Sequence, residues 1–233
     1  MDSKTETHLP KHIGYIVDGN RRWAKKHGIP AYEGHLAGYN ALHEVVKASF
    51  DQGVEYVSAY IFSTENWKRS EGEVKNLMAL VLRILKSDLH IFQDNNIRLK
   101  VLGSPEKVDN KILEAINDAE TLTASNTGGV LGICLNYGGQ LEIVDAFKKI
   151  MEAGIKADDI TADMVDQNLY APEMPALDML VRTGGDQRLS NFMLWRSAYS
   201  ELLFLDKLWP DMTKGDVTDI LNEYNKRQRR FGG

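Results

Sequence analysis

The chain of 233 residues carries 28 lysines and arginines against 33 aspartates and glutamates, a net charge of −5. That balance argues against a general nucleic-acid binder, which needs a broad basic surface, and the single cysteine, Cys134, excludes an internal disulfide. No run of about 18 apolar residues is present to cross a bilayer as a helix, while 43% hydrophobic residues in a chain of this size support one substantial core.

The polar opening MDSKTETHLPKH has no apolar run of signal-peptide length, so a cytoplasmic location is expected. Residues 1–11 read as a flexible N-terminal segment and 12–233 as one domain. His12–Val17 predicts a first strand, ending at the turn-like Asp18-Gly19-Asn20. From Gly34 to Gln52, Tyr39, Leu42, Val46 and Phe50 recur at helical spacing, and Gly53 suits a C-cap. Val54–Phe62 predicts a second strand, Glu73–Asn95 one long helix, Ile97–Leu102 a strand, and Pro105–Ala124 a helix opened by its proline. Val130–Leu135 reads as a buried strand, Leu141–Met151 as a helix, and Ala162–Leu169 as a short helix before Pro172 and Pro175. Strand Leu177–Val181, a short helix Asn191–Ala198, strand Glu201–Leu205 and a final helix Lys214–Arg230 complete the pattern. Six strands alternating with helices predict an α/β fold on a largely parallel sheet, with right-handed crossovers.

Ligands of such sheets bind beyond the carboxyl ends of the strands, and polar, glycine-rich segments gather there: Asp18–Arg22, Ser63–Arg69, Asn136–Gly139 and Arg182–Ser190. Arg21, Arg22, Arg69, Arg182 and Arg188 can grip phosphate bidentately, and nearby glycines let backbone N–H groups approach an anion. Asp18 is a hard oxygen ligand suited to magnesium, which takes one or two carboxylates plus phosphate oxygens. Each piece alone has a plainer reading: Asp-Gly-Asn is a common turn, and surface arginines are commonly solvated. Trp23, Trp67, Trp195 and Trp209 likewise suit core or rim packing. The shared placement of four loops on one rim favours a site for two phosphorylated groups and a metal.

Other chemistries lack their signatures. There is no G-x-x-x-x-G-K-[ST], no strand is followed by G-x-G-x-x-G, and the histidines show no zinc-ligand pairing. Cys134 lies in an apolar strand and reads as inert, and Asp158-Asp159 reads as helix capping.

The loops carry a more specific signal. Ile16-Val17-Asp18-Gly19-Asn20-x-Arg22-Trp23-Ala24, Gly34-His35-x-x-Gly38, Phe62-Ser63-Thr64-Glu65-Asn66-Trp67-x-Arg69, Asn136-Tyr137-Gly138-Gly139 and Arg182-Thr183-Gly184-Gly185 occur in order. Arg188-x-Ser190-Asn191-Phe192, Ala198-Tyr199-x-Glu201-Leu202, Leu208-Trp209-Pro210 and Arg227-x-Arg229-Arg230-Phe231-Gly232 follow. Across residues 11–232 this strongly resembles the cis-prenyltransferases, the family of undecaprenyl and dehydrodolichyl diphosphate synthases.

The resemblance implies a single α/β domain with a largely parallel six-stranded sheet, a hydrophobic tunnel and a homodimer. The activity it implies is condensation of isopentenyl diphosphate with an allylic diphosphate, farnesyl or geranyl, to give a cis-polyprenyl diphosphate and free diphosphate. It implies Mg2+ held by Asp18 and Glu201, with Asp18, Asn66 and Ser63 as catalytic groups. Gly19, Asn20, Arg21, Arg22, Trp23, His35, Thr64, Glu65, Trp67 and Arg69 would surround the allylic substrate and reaction centre. Arg182, Arg188, Leu189 and Ser190 would hold isopentenyl diphosphate, and Arg229 would reach across the dimer. The partners are thus two diphosphates and a second subunit, with peripheral membrane contact from a lipid-soluble product and no nucleic acid.

Several positions depart from the family pattern: Arg21 stands where glycine is frequent, Ala31 where arginine is frequent, Gln187 for a histidine and Gln140 for an arginine. Ile61, where long-chain members often have alanine, points to a shorter tunnel, and Gly129 points to a longer one. A short-chain or irregular, lavandulyl-type enzyme and a non-catalytic partner subunit remain as alternatives, although Asp18, Asn66 and Arg69 are all retained. A phosphosugar- or nucleotide-binding protein would explain the phosphate grip but not the wide apolar helix that begins at Glu73.

Overall fold

Runs of β-branched and aromatic residues form six short strands, each followed by helix or by turns that return the chain to the same edge. A computed structural model describes residues 8–227. The strands are β1 (His12–Ile16), β2 (Tyr56–Ser63), β3 (Ile97–Leu102), β4 (Gly129–Tyr137), β5 (Met179–Arg182) and β6 (Glu201–Phe204). Their order is β3-β4-β2-β1-β5-β6, and every neighbouring pair is parallel. From β1 the chain adds strands on one side, then returns to place β5 on the other. The crevice beyond β1 and β5 is therefore the topological switch point where such sheets bind ligands.

Eight α-helices lie among the described residues: α1 (Asn20–His27), α2 (Ala31–Asp51), α3 (Glu71–Lys86), α4 (Leu89–Asp94), α5 (Asn110–Thr123), α6 (Gly139–Glu152), α7 (Ala162–Asn168) and α8 (Lys214–Lys226). Strand alternation divides the apolar side chains between two faces. Tyr15, Val57, Leu99, Leu131 and Val181 join the larger core with residues of α2, α3, α4, α5 and α8. Ile16, Tyr60, Cys134 and Leu180 face the other way, onto Met174, Leu177 and Phe192. Each fully buried aliphatic side chain contributes roughly 1.5–3 kcal/mol.

The structure corrects several sequence expectations. α1 was not anticipated; it starts straight from the Asp18-Gly19 turn. α2 begins at Ala31, directly after Pro30, rather than at Gly34. The single helix expected over Glu73–Asn95 is two. Its first part starts at Glu71, where the Ser70 side chain accepts from the Glu73 N–H, and it stops at Lys86. At the break, the Asp88 carboxylate receives the Tyr39 hydroxyl and the Arg83 guanidinium. Pro105 does not open α5: Lys107 has φ 64, outside the helical region, and Asp109 caps the helix by accepting from the Lys111 N–H. No helix forms over Asn191–Ala198, because Asn191 and Met193 have φ 65 and 42 and the segment is a chain of turns. The other strand and helix ends shift by one or two residues. The final helix stops at Lys226, where Arg227 is extended with φ −85 and ψ 131, rather than running to Arg230. Of the expectation for residues 1–11, positions 1–7 lie outside the described residues, as do positions 228–230 of the expected helix.

Candidate active site

β1 delivers Asp18 to the switch-point crevice, and β5 delivers Arg182 beside it. Thr183 fastens the two strand ends: its hydroxyl donates to the Asp18 carbonyl at 2.7 Å, and the Thr183 Oγ1 accepts from the Asp18 N–H at 3.1 Å. The Arg182 side chain is only 4% exposed. Its guanidinium donates to Asp18 Oδ2 at 2.8 Å, Ser190 Oγ at 2.7 Å and the Arg188 carbonyl at 2.6 Å. One planar fork thus ties the Asp18 turn to the 188–190 loop, which a lysine could not do. Arg22 approaches the other oxygen, Asp18 Oδ1, at 3.1 Å and donates to the Gly184 carbonyl.

Gly19, with φ 117, turns the chain into α1, so Asn20, Arg21 and Arg22 occupy the helix's first turn, where the peptide dipoles favour an anion. A cleft of about 810 Å³ is lined by Asp18 through Arg22, His35, Arg69 and Arg188, with Ala31 also on its wall. Glu73 organises its far side, lying 2.9 Å from Arg69, 3.6 Å from His35 Nε2 and 3.9 Å from Arg21. Burial, and then the Arg69 charge, hold the His35 pKa below its ordinary value, with Glu73 opposing them, so the ring is neutral near pH 7. Asp186 faces Arg188 at 3.0 Å and stands 3.6 and 3.7 Å from Arg22 and Arg182. Its hydrogen bond from Arg188 lowers its pKa most, aided by those other arginines.

Ser63 through Arg69 form the next wall. Ser63 and Asn66 cap each other across a single 3-10 turn, side chain to backbone in both directions. Trp67 Nε1 donates to Asn136 Oδ1 at 2.7 Å and its ring meets Phe62 edge-on, so Trp67 is anchored in the loop scaffold. Thr64 packs against Gly138. Asn191 donates to Glu65 at 3.2 Å and accepts from the Gln140 N–H at 2.9 Å, linking three of the four loops. Burial raises the Glu65 pKa, but donors from its own N–H, Ser63, Asn191 and Thr64 outweigh it and leave the carboxyl below its usual range. Leu189 packs on the second core cluster, and its carbonyl accepts from the Phe192 N–H.

Beneath the cleft is a small apolar pocket of about 40 Å³, sharing Val17, Asn20 and His35 with it and bounded by Leu42, Ile61, Leu77 and Ile84. The pocket lies between α2, α3 and β2.

Not every expected residue converges. Trp23 turns away from the cleft, donating to Asp211 at 2.6 Å and packing on His27. Glu201 pairs with Met179 at the amino end of the sheet and binds Arg227 at 3.1 Å, so within one chain it stands on the rim opposite Asp18. Arg229 lies outside the described residues. Sequence reasoning missed Glu73, whose signal was its position four residues after Arg69. It also missed the fastening role of Thr183, and that of Trp209, whose backbone N–H donates to the Asp18 carbonyl and whose indole donates to the Gly38 carbonyl.

Among the described residues no group of three His, Cys, Asp or Glu side chains is arranged to hold a metal. Asp18 alone, with its carboxylate 29% exposed at the cleft, fits magnesium, which fills most of its octahedron with phosphate oxygens and water.

A family model described as "Putative undecaprenyl diphosphate synthase" matches residues 16–232. An isoprenyl transferase of Neisseria meningitidis serogroup B is 45% identical over 226 residues, covering 97% of this chain and 90% of that protein. The crystal structure of lavandulyl diphosphate synthase from Lavandula x intermedia, in complex with dimethylallyl diphosphate, superposes with TM-score 0.92 at 32% identity, covering 97% of this chain and 99% of that one. A probable undecaprenyl diphosphate synthase of Campylobacter jejuni gives TM-score 0.82 at 30% identity over the same shares.

Proposed function

This chain belongs to the undecaprenyl diphosphate synthase family of isoprenyl transferases, and from that premise we propose that it condenses isopentenyl diphosphate with an allylic diphosphate, farnesyl or geranyl, releasing diphosphate and forming a cis-polyprenyl diphosphate. The observation that carries the reading is the convergence of Asp18, Arg22 and Arg182 at the switch point, above an apolar pocket.

The allylic diphosphate occupies the first turn of α1, with Asn20, Arg21, Arg22, His35 and Arg69 around it. Isopentenyl diphosphate takes Arg182, Arg188 and Ser190. Asp18 would hold magnesium together with the bound diphosphate, and the ion would supply neutralisation of negative charge on the leaving group. The arginines are preorganised for the same charge, their positions fixed by Asp18, Glu73 and Asp186. Apolar walls below the cleft exclude water from the allylic carbon as its bond to oxygen loosens. Ser63 and Asn66, locked by mutual capping, stand at the wall where the proton is lost. Glu201 would reach a metal only from a neighbouring subunit. A homodimer is supported by the exposed apolar stripe Val144, Phe147 and Met151 on α6, 49%, 39% and 57% exposed.

A second reading is favoured by the closer superposition on lavandulyl diphosphate synthase and by the small pocket: short-chain or irregular coupling. Incubation with magnesium, isopentenyl diphosphate and dimethylallyl, geranyl or farnesyl diphosphate in turn, read by product mass and double-bond geometry, separates the two. Repeated cis additions are expected; one branched addition supports the second reading, and no condensation with any starter overturns both.

A further inference from the structure

We propose that Tyr60 is a positioning residue for isopentenyl diphosphate: its hydroxyl holds the main chain of the Ser190 turn in the shape that presents Arg188 and Ser190 to that substrate. The inference rests on the assignment of Arg182, Arg188 and Ser190 to isopentenyl diphosphate made above. Tyr60 pairs with Ile16 of β1 on one side and with Cys134 of β4 on the other, so its backbone is fixed in the middle of the sheet. The residue is buried, and its hydroxyl lies 3.2 Å from the Tyr137 carbonyl and 3.2 Å from the Ser190 carbonyl. Carbonyls only accept, so the hydroxyl donates, its one proton shared between the two. Burial, aided by the Glu65 charge and opposed by Ser63, pushes the Tyr60 pKa above its ordinary value, so that proton stays in place near pH 7.

The Ser190 turn needs such a hold. Ser190, Asn191 and Met193 have φ 48, 65 and 42, the left-handed region in which a Cβ crowds the backbone. Arg182 also grips the turn, through Ser190 Oγ at 2.7 Å, but both partners belong to the proposed subsite. A diphosphate that takes Arg182 and Ser190 Oγ competes with the bond between them. The bond from Tyr60 stands outside that competition, since its acceptor is a carbonyl with no proton to offer a phosphate. The Tyr60 ring adds a second hold, stacked on the fully buried Phe192 ring at 4.7 Å and 19°. Through the Tyr137 carbonyl the same hydroxyl ties the turn to the end of β4, where the Gly139 N–H donates to the Asn191 carbonyl at 2.7 Å. The allylic side of the cleft is held by a different set, Glu73 with Arg69 and Arg21. Loss of the Tyr60 hydroxyl should therefore separate the two substrates.

The unmodified chain, Tyr60→Phe and Phe192→Leu are assayed with magnesium, isopentenyl diphosphate and whichever of dimethylallyl, geranyl or farnesyl diphosphate the unmodified chain condenses. Each substrate is varied at saturation of the other, and melting temperatures are recorded. Tyr60→Phe keeps the ring stack and loses only the hydroxyl. Its KM for isopentenyl diphosphate is expected to rise about three- to tenfold, the worth of one hydrogen bond, with the allylic KM unchanged. Phe192→Leu keeps the hydroxyl and loosens its ring, and should move the same constant by less. If Tyr60→Phe does not fold, Phe192→Leu decides. A purely structural tyrosine would lower the melting temperature and leave both KM values in place; that result overturns the inference, as does an equal rise in both. A rise confined to the allylic substrate overturns the subsite assignment along with it. An unmodified chain that condenses nothing overturns the proposed activity and the role of Tyr60 together.

Discussion

Asp18 holds two guanidinium groups with one carboxylate, and this sharing decides what its replacement should do. Asparagine keeps the shape and one acceptor oxygen, so Arg182 retains Ser190 Oγ and the Arg188 carbonyl and keeps a partner at position 18. The charge is gone, and with it the hard ligand for a cation. Losing one preorganised electrostatic contact in such a site typically costs about 2.7–4 kcal/mol of barrier, so Asp18→Asn should lower turnover at least about a hundredfold. The lost charge-assisted bonds to arginine should cost on the order of 1–3 kcal/mol of stability, visible as a modest fall in melting temperature. Near-normal turnover in the folded variant would remove Asp18 from the chemistry. Residues of this kind were legible because their types announce them: arginines, an aspartate and glycines at strand ends point to diphosphate wherever they occur together. Glu73 and Thr183 were not legible, because a glutamate in the first turn of a helix and a threonine after an arginine are ordinary. Only the fold shows the one facing three basic side chains and the other clamping a strand end across the sheet.

The pair α1 and α2 shows how an element positions a side chain. α1 crosses α2 where Gly34 and Gly38 lie four residues apart on one face. A Cβ at Gly34 would come within 2.2 Å of the Asn20 carbonyl, and one at Gly38 within 2.2 Å of Asn20 Oδ1. The second glycine of the Gly-His-x-x-Gly motif thus seats Asn20, whose Oδ1 is buried without a partner at the head of the cleft. Gly38→Ala should push Asn20 and the first turn of α1 outward. Overpacking of this kind costs about 1–3 kcal/mol, and activity should fall by more than the loss of folded protein explains, which denaturant titration and kcat measured together would reveal. Activity that tracks only the folded fraction would show that Asn20 need not be held there. Among the elements, strands and amphipathic helices were legible from periodicity, since the pattern reflects which side meets the core. Their interruptions were not: the break before Asp88 depends on Tyr39, 49 positions away, and the failed helix after Ser190 depends on the loop that Arg182 gathers.

At the scale of the whole molecule, acid stability should be governed in part by one buried histidine that plays no part in the site. His12 is fully buried at the start of β1; Nδ1 lies 2.8 Å from the Pro175 carbonyl and Nε2 2.8 Å from Ser58 Oγ. A carbonyl can only accept, so Nδ1 carries the proton and Nε2 receives the serine hydroxyl. Burial pushes its pKa from 6.5 to about 4; the Pro175 bond and Asp178 oppose the shift, and Arg196 adds to it. Because the folded value is depressed, the unfolded chain binds the extra proton between these limits. The contribution is complete above pH 6.5, drains away as pH falls toward 4, and amounts to roughly 3 kcal/mol in all. His35 and His43 are shifted in the same direction and act with it. Glu142, whose pKa is raised chiefly by burial, acts against them, since the folded state then takes up its proton first. Urea midpoints measured from pH 8 to pH 4 should therefore decline below about 6.5. His12→Asn retains an N–H for Pro175 but cannot titrate; it should be less stable at pH 8 and lose stability more shallowly on acidification, by close to one proton in the linkage slope. Parallel curves for the two proteins would mean that His12 accepts its proton inside the fold, and that the contacts at β1, Ser58 and Pro175 rearrange to permit it.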